Sequence, residues 1–354
     1  MQETVTRRRA SIRSLKIIKR RNLISKQEEL DKQRVSEEKK ITKRAFLKDL
    51  LIISVLGYTF ITKGIYSLSE DKTSTSTRLI ASELNAEFKN GEQQNPEITE
   101  SVLQTKVEQY IEQMRDLGKI APDETVAWLV YDLTNEKELV MINENLPLQS
   151  ASMVKPLIAL AFFHKVKNGE LKYTEKCKRY LTSMIQRSRN YQTNWIMEQI
   201  GGPKEVNSIL LENYGDIFHH TEIVEYIPLN GTTYRNKASA SDYNRFLYAL
   251  WHNTLPYSQE IKRLMALPKG GPLGDYPSGA TVMNKTGNTA RLCGDMAILE
   301  AKGKKGTFAY TLITIVEKKQ NAEYYARWKR EKKSLIREGA NIVHDYMKET
   351  YGIG

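Results

Sequence analysis

Apolar residues recur at helical spacing in Val102, Val107, Tyr110, Ile111 and Met114, which predicts a helix that closes at Gly118, near Pro122. Two apolar runs follow, VAWLVYDL (126–133) and ELVMIN (138–143), with Thr134 and Asn135 at the turn after Asp132. Together they predict a β-hairpin. A long helix-like run begins at Ser152. Further helices are predicted over 178–186, 191–200 and 203–213, and another starts near Ser241. The stretches ATVMNKTG, CGDMAILEA and TFAYTLITIVE predict three strands, and 322–350 predicts a long amphipathic helix. The order is helix, two strands, helical block, three strands, helix. That implies an α/β protein with an antiparallel five-stranded sheet, terminal helices on one face and an all-helical block on the other.

The front of the chain has a different character. Residues 1–45 carry 15 Lys/Arg against 6 Asp/Glu, so most of the formal +12 charge of the 354-residue chain lies there. The run Leu50 to Thr62 is uncharged, and extended over 46–68 it reaches the length of a membrane span, with Lys48 and Lys63 able to snorkel. Three readings stay open: an uncleaved single-pass anchor, a cleaved export signal, and a buried core helix. The segment Thr42–Lys48 resembles a twin-arginine export signal. Under the first, the preceding positive charge keeps the N-terminus in the cytoplasm. Either of the first two places the remainder outside the cytoplasm. Residues 69–97 are polar and of low complexity, which reads as a linker. The globular domain is expected over 98–352.

Outside residues 1–45 the charge is nearly balanced, and no aromatic-rich or helix-turn-helix pattern accompanies the basic segment. Nucleic acid is therefore not an expected partner. Cys177 and Cys293 are too few for a disulfide scaffold; they either pair or sit as small core residues. The five histidines show no metal spacing, so neither a metal nor another cofactor is expected.

Three short motifs occur in order: Ser152-Met153-Val154-Lys155, Ser188-Arg189-Asn190 and Lys285-Thr286-Gly287. Ser152 opens a helical run, where free N–H groups and the positive dipole end favour a developing oxyanion. Lys155 lies three residues on, on the same helical face. An amine there can take the serine proton if it is neutral, and burial beside a second cation such as Lys285 would favour that state. At the end of its strand, Lys285 and Thr286 can hold a carboxylate, and Gly287 lets a ligand lie against the backbone. Arg291 is a candidate second cation for that carboxylate, or a strand-edge arginine.

The trio, with QSASMVKPLIAL, MIQRSRNYQTNWIMEQIGG and VMNKTGNTARLCGDMAIL around it, resembles the serine β-lactamase and penicillin-binding protein superfamily over residues 98–352. The class A β-lactamase-like branch is the most similar. The resemblance implies a Ser152 acyl-enzyme, with Ser188 relaying a proton to the leaving nitrogen and Asn190 binding the substrate amide. Its substrates would be β-lactams or peptidoglycan D-Ala-D-Ala stem peptides.

Three departures qualify the resemblance. Arg189 stands where aspartate is usual. Only 36 residues separate Ser152 from Ser188, which implies a more open cleft. The family's deacylating glutamate would fall at Tyr226, counting back from Leu229-Asn230, whereas the available carboxylate is Glu225. Either Glu225 serves as the base after a loop rearrangement, or it is a solvated loop residue and acyl-enzymes persist. Three functions follow: a D,D-peptidase, a β-lactamase, or a catalytically degenerate, membrane-anchored binding or scaffold protein.

Overall fold

The structure is a computed structural model that describes residues 101–229, 235–268, 280–303 and 306–352. The chain divides into two units, Met1–Asn95 and Pro96–Gly354, and the described residues all belong to the second. The basic segment 1–45, the apolar run 46–68 and the linker 69–97 lie outside them. Among the described residues, no helix is long and apolar enough to cross a membrane.

Helix α1 (Val102–Asp116) is capped by the Ser101 side chain, which accepts from the Gln104 N–H. It buries Leu103, Val107, Tyr110, Ile111 and Met114. The spacing analysis put Val102 on that face; the structure leaves Val102 63% exposed and buries Leu103 in its place. Strands β1 (Glu124–Asp132) and β2 (Lys137–Ile142) form the expected hairpin. Asp132 Oδ1 accepts from the Thr134 and Asn135 N–H groups and so closes its turn.

The short strand β3 (Leu148–Gln149) leads into a 3-10 turn, Ala151–Val154, and then helix α2 (Lys155–Lys167). From Lys155 to Phe163 every residue of α2 is buried. A helix buried on all sides is a core element rather than an amphipathic surface one. Around it pack α3 (Glu175–Gln186), α4 (Asn190–Ile200) and α5 (Pro203–Asn213). Strand β4 (Lys237–Ala238) pairs with β3 in a second, two-stranded sheet. Helices α6 (Ala240–Trp251) and α7 (Ser258–Met265) complete the block. The two-residue strands and α7 were not legible in the sequence. Strands so short carry no alternation, and α7 has only eight residues.

Strands β5 (Thr281–Asn288), β6 (Leu292–Gly303) and β7 (Gly306–Lys318) join the hairpin in one antiparallel sheet of order β2-β1-β7-β6-β5. Helix α8 (Tyr325–Tyr351) ends the described chain. The sheet separates two cores. On one face Met283, Met296, Ile298, Ile313 and Ile315 pack against the helical block. On the other, Trp128, Val130, Leu299 and Leu312 pack against α1 and α8. This is the α/β architecture expected from the order of elements.

Two contacts fix α8 to the sheet. Lys332 and Glu124 form a buried ion pair of 2.6 Å, and the Trp328 indole donates to the same carboxylate. Where α8 crosses Trp128, it carries Gly339. A Cβ there would lie 2.3 Å from Trp128 Cη2 and 3.0 Å from Tyr110 Cε1. Gly→Ala inside a helix ordinarily gains up to about 1 kcal/mol. Overpacking typically costs about 1–3 kcal/mol, and a buried indole cannot retreat. Gly339→Ala is therefore expected to lower the urea midpoint of unfolding, against the trend of helix propensity; an unchanged or raised midpoint would contradict this packing.

Candidate active site

The three sequence motifs meet where α2, the α3–α4 junction and β5 converge. Ser152 lies half-buried in the 3-10 turn, whose C-cap is Lys155. Among the described residues its hydroxyl has no hydrogen-bond partner. The helix expected to begin at Ser152 thus begins with 3-10 geometry and becomes α-helical at Lys155. Ala151, just before it, has φ +46°, a sharp backbone reversal into the turn.

The Lys155 side chain is fully buried. Its amine lies 2.6 Å from the Ser188 carbonyl oxygen, 2.8 Å from Asn190 Oδ1 and 3.3 Å from Ser188 Oγ. Burial, and then repulsion from Lys285, hold its pKa well below the ordinary lysine value. A neutral amine has two N–H groups and a lone pair. The carbonyl and carboxamide oxygens can take both donors, which leaves the lone pair for a hydroxyl proton.

Ser188 occupies the junction of α3 and α4 with φ +55°. That left-handed conformation costs a non-glycine residue energy and is retained where surrounding structure enforces it. It puts both the Ser188 carbonyl and its hydroxyl beside Lys155. Lys285, also buried, donates to Ser188 Oγ at 3.0 Å and to the Thr286 carbonyl at 2.8 Å. One hydroxyl thus links the two lysines. Asn190 opens α4; its carboxamide oxygen takes Lys155 and its Nδ2 donates to the Pro228 carbonyl at 3.0 Å. The sequence analysis gave Asn190 to a substrate amide, but here it also binds the lysine to the 221–229 loop.

Gly287 has a role the sequence did not reveal. It faces Gly294 across the β5–β6 register. A Cβ on Gly287 would lie 3.0 Å from Met153 Cγ and 3.1 Å from Ala151 Cβ, and one on Gly294 would lie 3.0 Å from Met153 Cε. The paired glycines form a hollow that receives Met153, so the turn carrying Ser152 docks on the sheet. Thr286 is half-buried beside them on β5, which has one neighbouring strand among the described residues.

Further residues pin this turn from behind. Gln149 N–H donates to Glu317 Oε2 at 3.0 Å, and Thr289 Oγ1 donates to Gln149 Oε1 at 3.1 Å. Both N–H and hydroxyl of Ser150 donate to the Asn236 carbonyl. Asn236 Oδ1 in turn accepts from the Val224 and Glu225 N–H groups. Neither Gln149 nor Asn236 belongs to a motif. Only the fold brings Asn236 to Ser150, across 86 residues.

The two doubtful candidates are engaged elsewhere. Glu225 accepts from the Arg235 N–H at 2.7 Å and from Arg235 Nε at 2.9 Å. Tyr226, at the position where the resemblance puts the deacylating glutamate, is exposed over less than half of its surface and its hydroxyl lies beside Gly202, beyond the far end of α4. Arg291 was a candidate for binding a substrate carboxylate. It is turned instead to β7, with Nε donating to the Lys318 carbonyl at 3.0 Å and Nη2 3.6 Å from Glu317. Cys177 and Cys293 are both free and buried, and do not pair. Among the described residues no group of His, Cys, Asp or Glu could hold a metal ion.

The five-stranded sheet and the all-helical block, with Ser188 and two buried lysines hydrogen-bonded where they meet, define an α/β protein with a polar site at the junction of its layers. A family model described as the beta-lactamase enzyme family matches residues 107–180 and 176–347, and the chain belongs to that family. Among solved structures, the penicillin-binding protein PBP-A is similar in fold, with 19% identity and TM-score 0.55 over 68% of this chain and 96% of that one. A PBP-A mutant held as an acyl-enzyme complex with penicillin G is similar at 19% identity and TM-score 0.56, over 70% of this chain and 96% of that one. An ancestral class A β-lactamase of Gram-negative bacteria matches at 17% identity and TM-score 0.54, over 69% and 99% of the two chains. At these identities the likeness is one of fold. No curated protein sequence matches the chain.

The docking of Met153 makes a testable prediction. Gly287→Ala is expected to lower stability by about 1–3 kcal/mol through overpacking. In a Met153→Ala background the same change should cost less than half as much, because one of its two collision partners is gone. A denaturation cycle over the four proteins measures this; equal costs in both backgrounds would remove Met153 from the contact.

Proposed function

We propose that the protein is a serine acyl-transfer hydrolase that forms a covalent acyl-enzyme on Ser152 with β-lactams and peptidoglycan stem peptides ending in D-Ala-D-Ala. The observation that carries this reading is the buried, depressed-pKa Lys155 amine, one turn after Ser152 and hydrogen-bonded to Ser188 and Asn190. Neutral Lys155 takes the Ser152 proton as Oγ attacks the carbonyl. The Lys155–Ser188–Lys285 chain then passes a proton to the departing nitrogen. Lys285 and Thr286 meet the substrate carboxylate.

Between the two hydrolases, the peptidase with a slowly released penicillin adduct is the better supported. Glu225 bonds with Arg235, Tyr226 turns toward Gly202, and both Asn190 amide atoms are engaged. None of these contacts aims a carboxylate at an acyl carbonyl on Ser152. We further propose that the apolar run 46–68 anchors this domain outside the cytoplasm, by its charge asymmetry; that rests on sequence pattern alone.

Time-resolved mass spectrometry of the full chain with penicillin G, run beside an acyl-D-Ala-D-Ala peptide, tests the reading. The expected results are a single adduct of penicillin mass on Ser152 that lasts through many minutes, none on Ser152→Ala, and D-alanine released from the peptide. Rapid loss of the adduct with turnover would identify a β-lactamase. Absence of both adduct and D-alanine would leave the binding or scaffold role.

A further inference from the structure

Beside Ser188 an open cavity of about 560 Å³ is lined by Arg187, Ser188, Arg189, Asn190, Tyr191 and Leu229, among others. No residue of β5 contributes to it. Arg187 caps the end of α3 and Arg189 stands just before α4, with the left-handed Ser188 between them. The backbone turn that aims Ser188 inward at two lysines leaves both flanking arginines exposed. Among the described residues neither guanidinium has an acidic or hydrogen-bonding partner. Tyr191 and Leu229 add apolar surface, 60% and 62% exposed. The described arginines of the α6 and α7 helices show the contrast: Arg245 and Arg263 are each paired with a carboxylate three residues away.

Two unpaired guanidinium forks on the lip of a cleft attract a carboxylate, and Arg189 replaces a residue of opposite charge in the family motif. We propose that this cavity binds a second anionic group of the acyl donor, a carboxylate on its acyl portion. That group is distinct from the carboxylate that Lys285 and Thr286 meet, since neither of those residues lines the cavity. The protein is then selective for donors that carry negative charge at both ends, such as stem peptides with a free side-chain or α-carboxylate. The inference rests on the Ser152 reading for the direction in which the substrate lies. Solvent-facing ion pairs are individually weak, so the preference is modest and falls with salt.

The test separates recognition from chemistry by using Ser152→Ala, which can bind but not be acylated. The probes are benzylpenicillin and its analogue with a carboxylate on the benzylic carbon. Calorimetry or NMR titration at low ionic strength gives the ratio of their dissociation constants. The dianionic compound is expected to bind about three- to tenfold more tightly. The ratio should approach one when Arg187→Gln and Arg189→Gln are added, and also in half-molar salt. Both side chains are exposed, and the far-ultraviolet spectrum checks the fold of the variant. A ratio of one in the parent, or one unchanged by the double substitution, overturns the proposal. Penicillin adduct formation by the wild type judges the Ser152 reading separately. A preference without an adduct would sustain the anion site and remove the acylation; an adduct without a preference would do the reverse.

Discussion

A primary amine in the protein interior is the constraint on which the cleft depends. Lys155 follows the Ser152 turn directly and opens a helix whose next eight residues are all buried, so its side chain has no route to water along α2. A buried ammonium is costly unless it is paired, and the groups it meets are neutral oxygens and a second lysine. The proton is therefore the group that yields. The folded-state pKa is below the unfolded one, so the unfolded chain binds the extra proton between the two values. Stability accordingly rises with pH across that window, and the cost of burial is full only below the folded pKa. The same window favours the neutral amine that the proposed base requires, so low pH weakens the fold and, under that proposal, the reaction as well.

Everything around that amine limits movement. The Ser188 backbone is held left-handed to present two oxygens, and Asn190 connects the amine to the loop at Pro228. The turn bearing Ser152 is clamped between a glycine-lined hollow in β5 and β6 and the carbonyl of Asn236. A site assembled this way is fixed by its packing, which suits a reaction that depends on a small separation between a hydroxyl and an amine. The loop with Glu225 is also well anchored, through Asn236 and through Asn194, which exchanges two hydrogen bonds with Ile227. Glu225 therefore owes its place beside Arg235 to a built loop rather than to a loose one.

Much of this was legible in the sequence because it is local. Ser152 and Lys155 share a helical face by spacing, and apolar runs marked the five strands of the main sheet. The order of elements implied the layers. What was not legible depends on long-range register. Gly287 reads as a ligand platform until Gly294 is seen opposite it and Met153 above both. Gln149 and Asn236 are ordinary loop polar residues until the fold sets them behind the turn. Arg291 stayed open between a cleft cation and a strand-edge arginine because a hairpin end near a motif can face either the cleft or β7, and Glu317 with the Lys318 carbonyl draws it to β7. Val102 and Leu103 exchanged places because a one-residue rotation at a helix start leaves the rest of the spacing intact.

The most direct test of the central claim is the ionisation of Lys155 itself. Lysine labelled with carbon-13 at Cε can be followed by NMR through a pH titration, with Lys155→Arg identifying the signal. The expected signal titrates well below the surface lysines. It moves toward them in Lys285→Ala, because removing a neighbouring cation favours the charged amine. A Lys155 signal that titrates together with the surface lysines, and ignores the loss of Lys285, would contradict the arrangement.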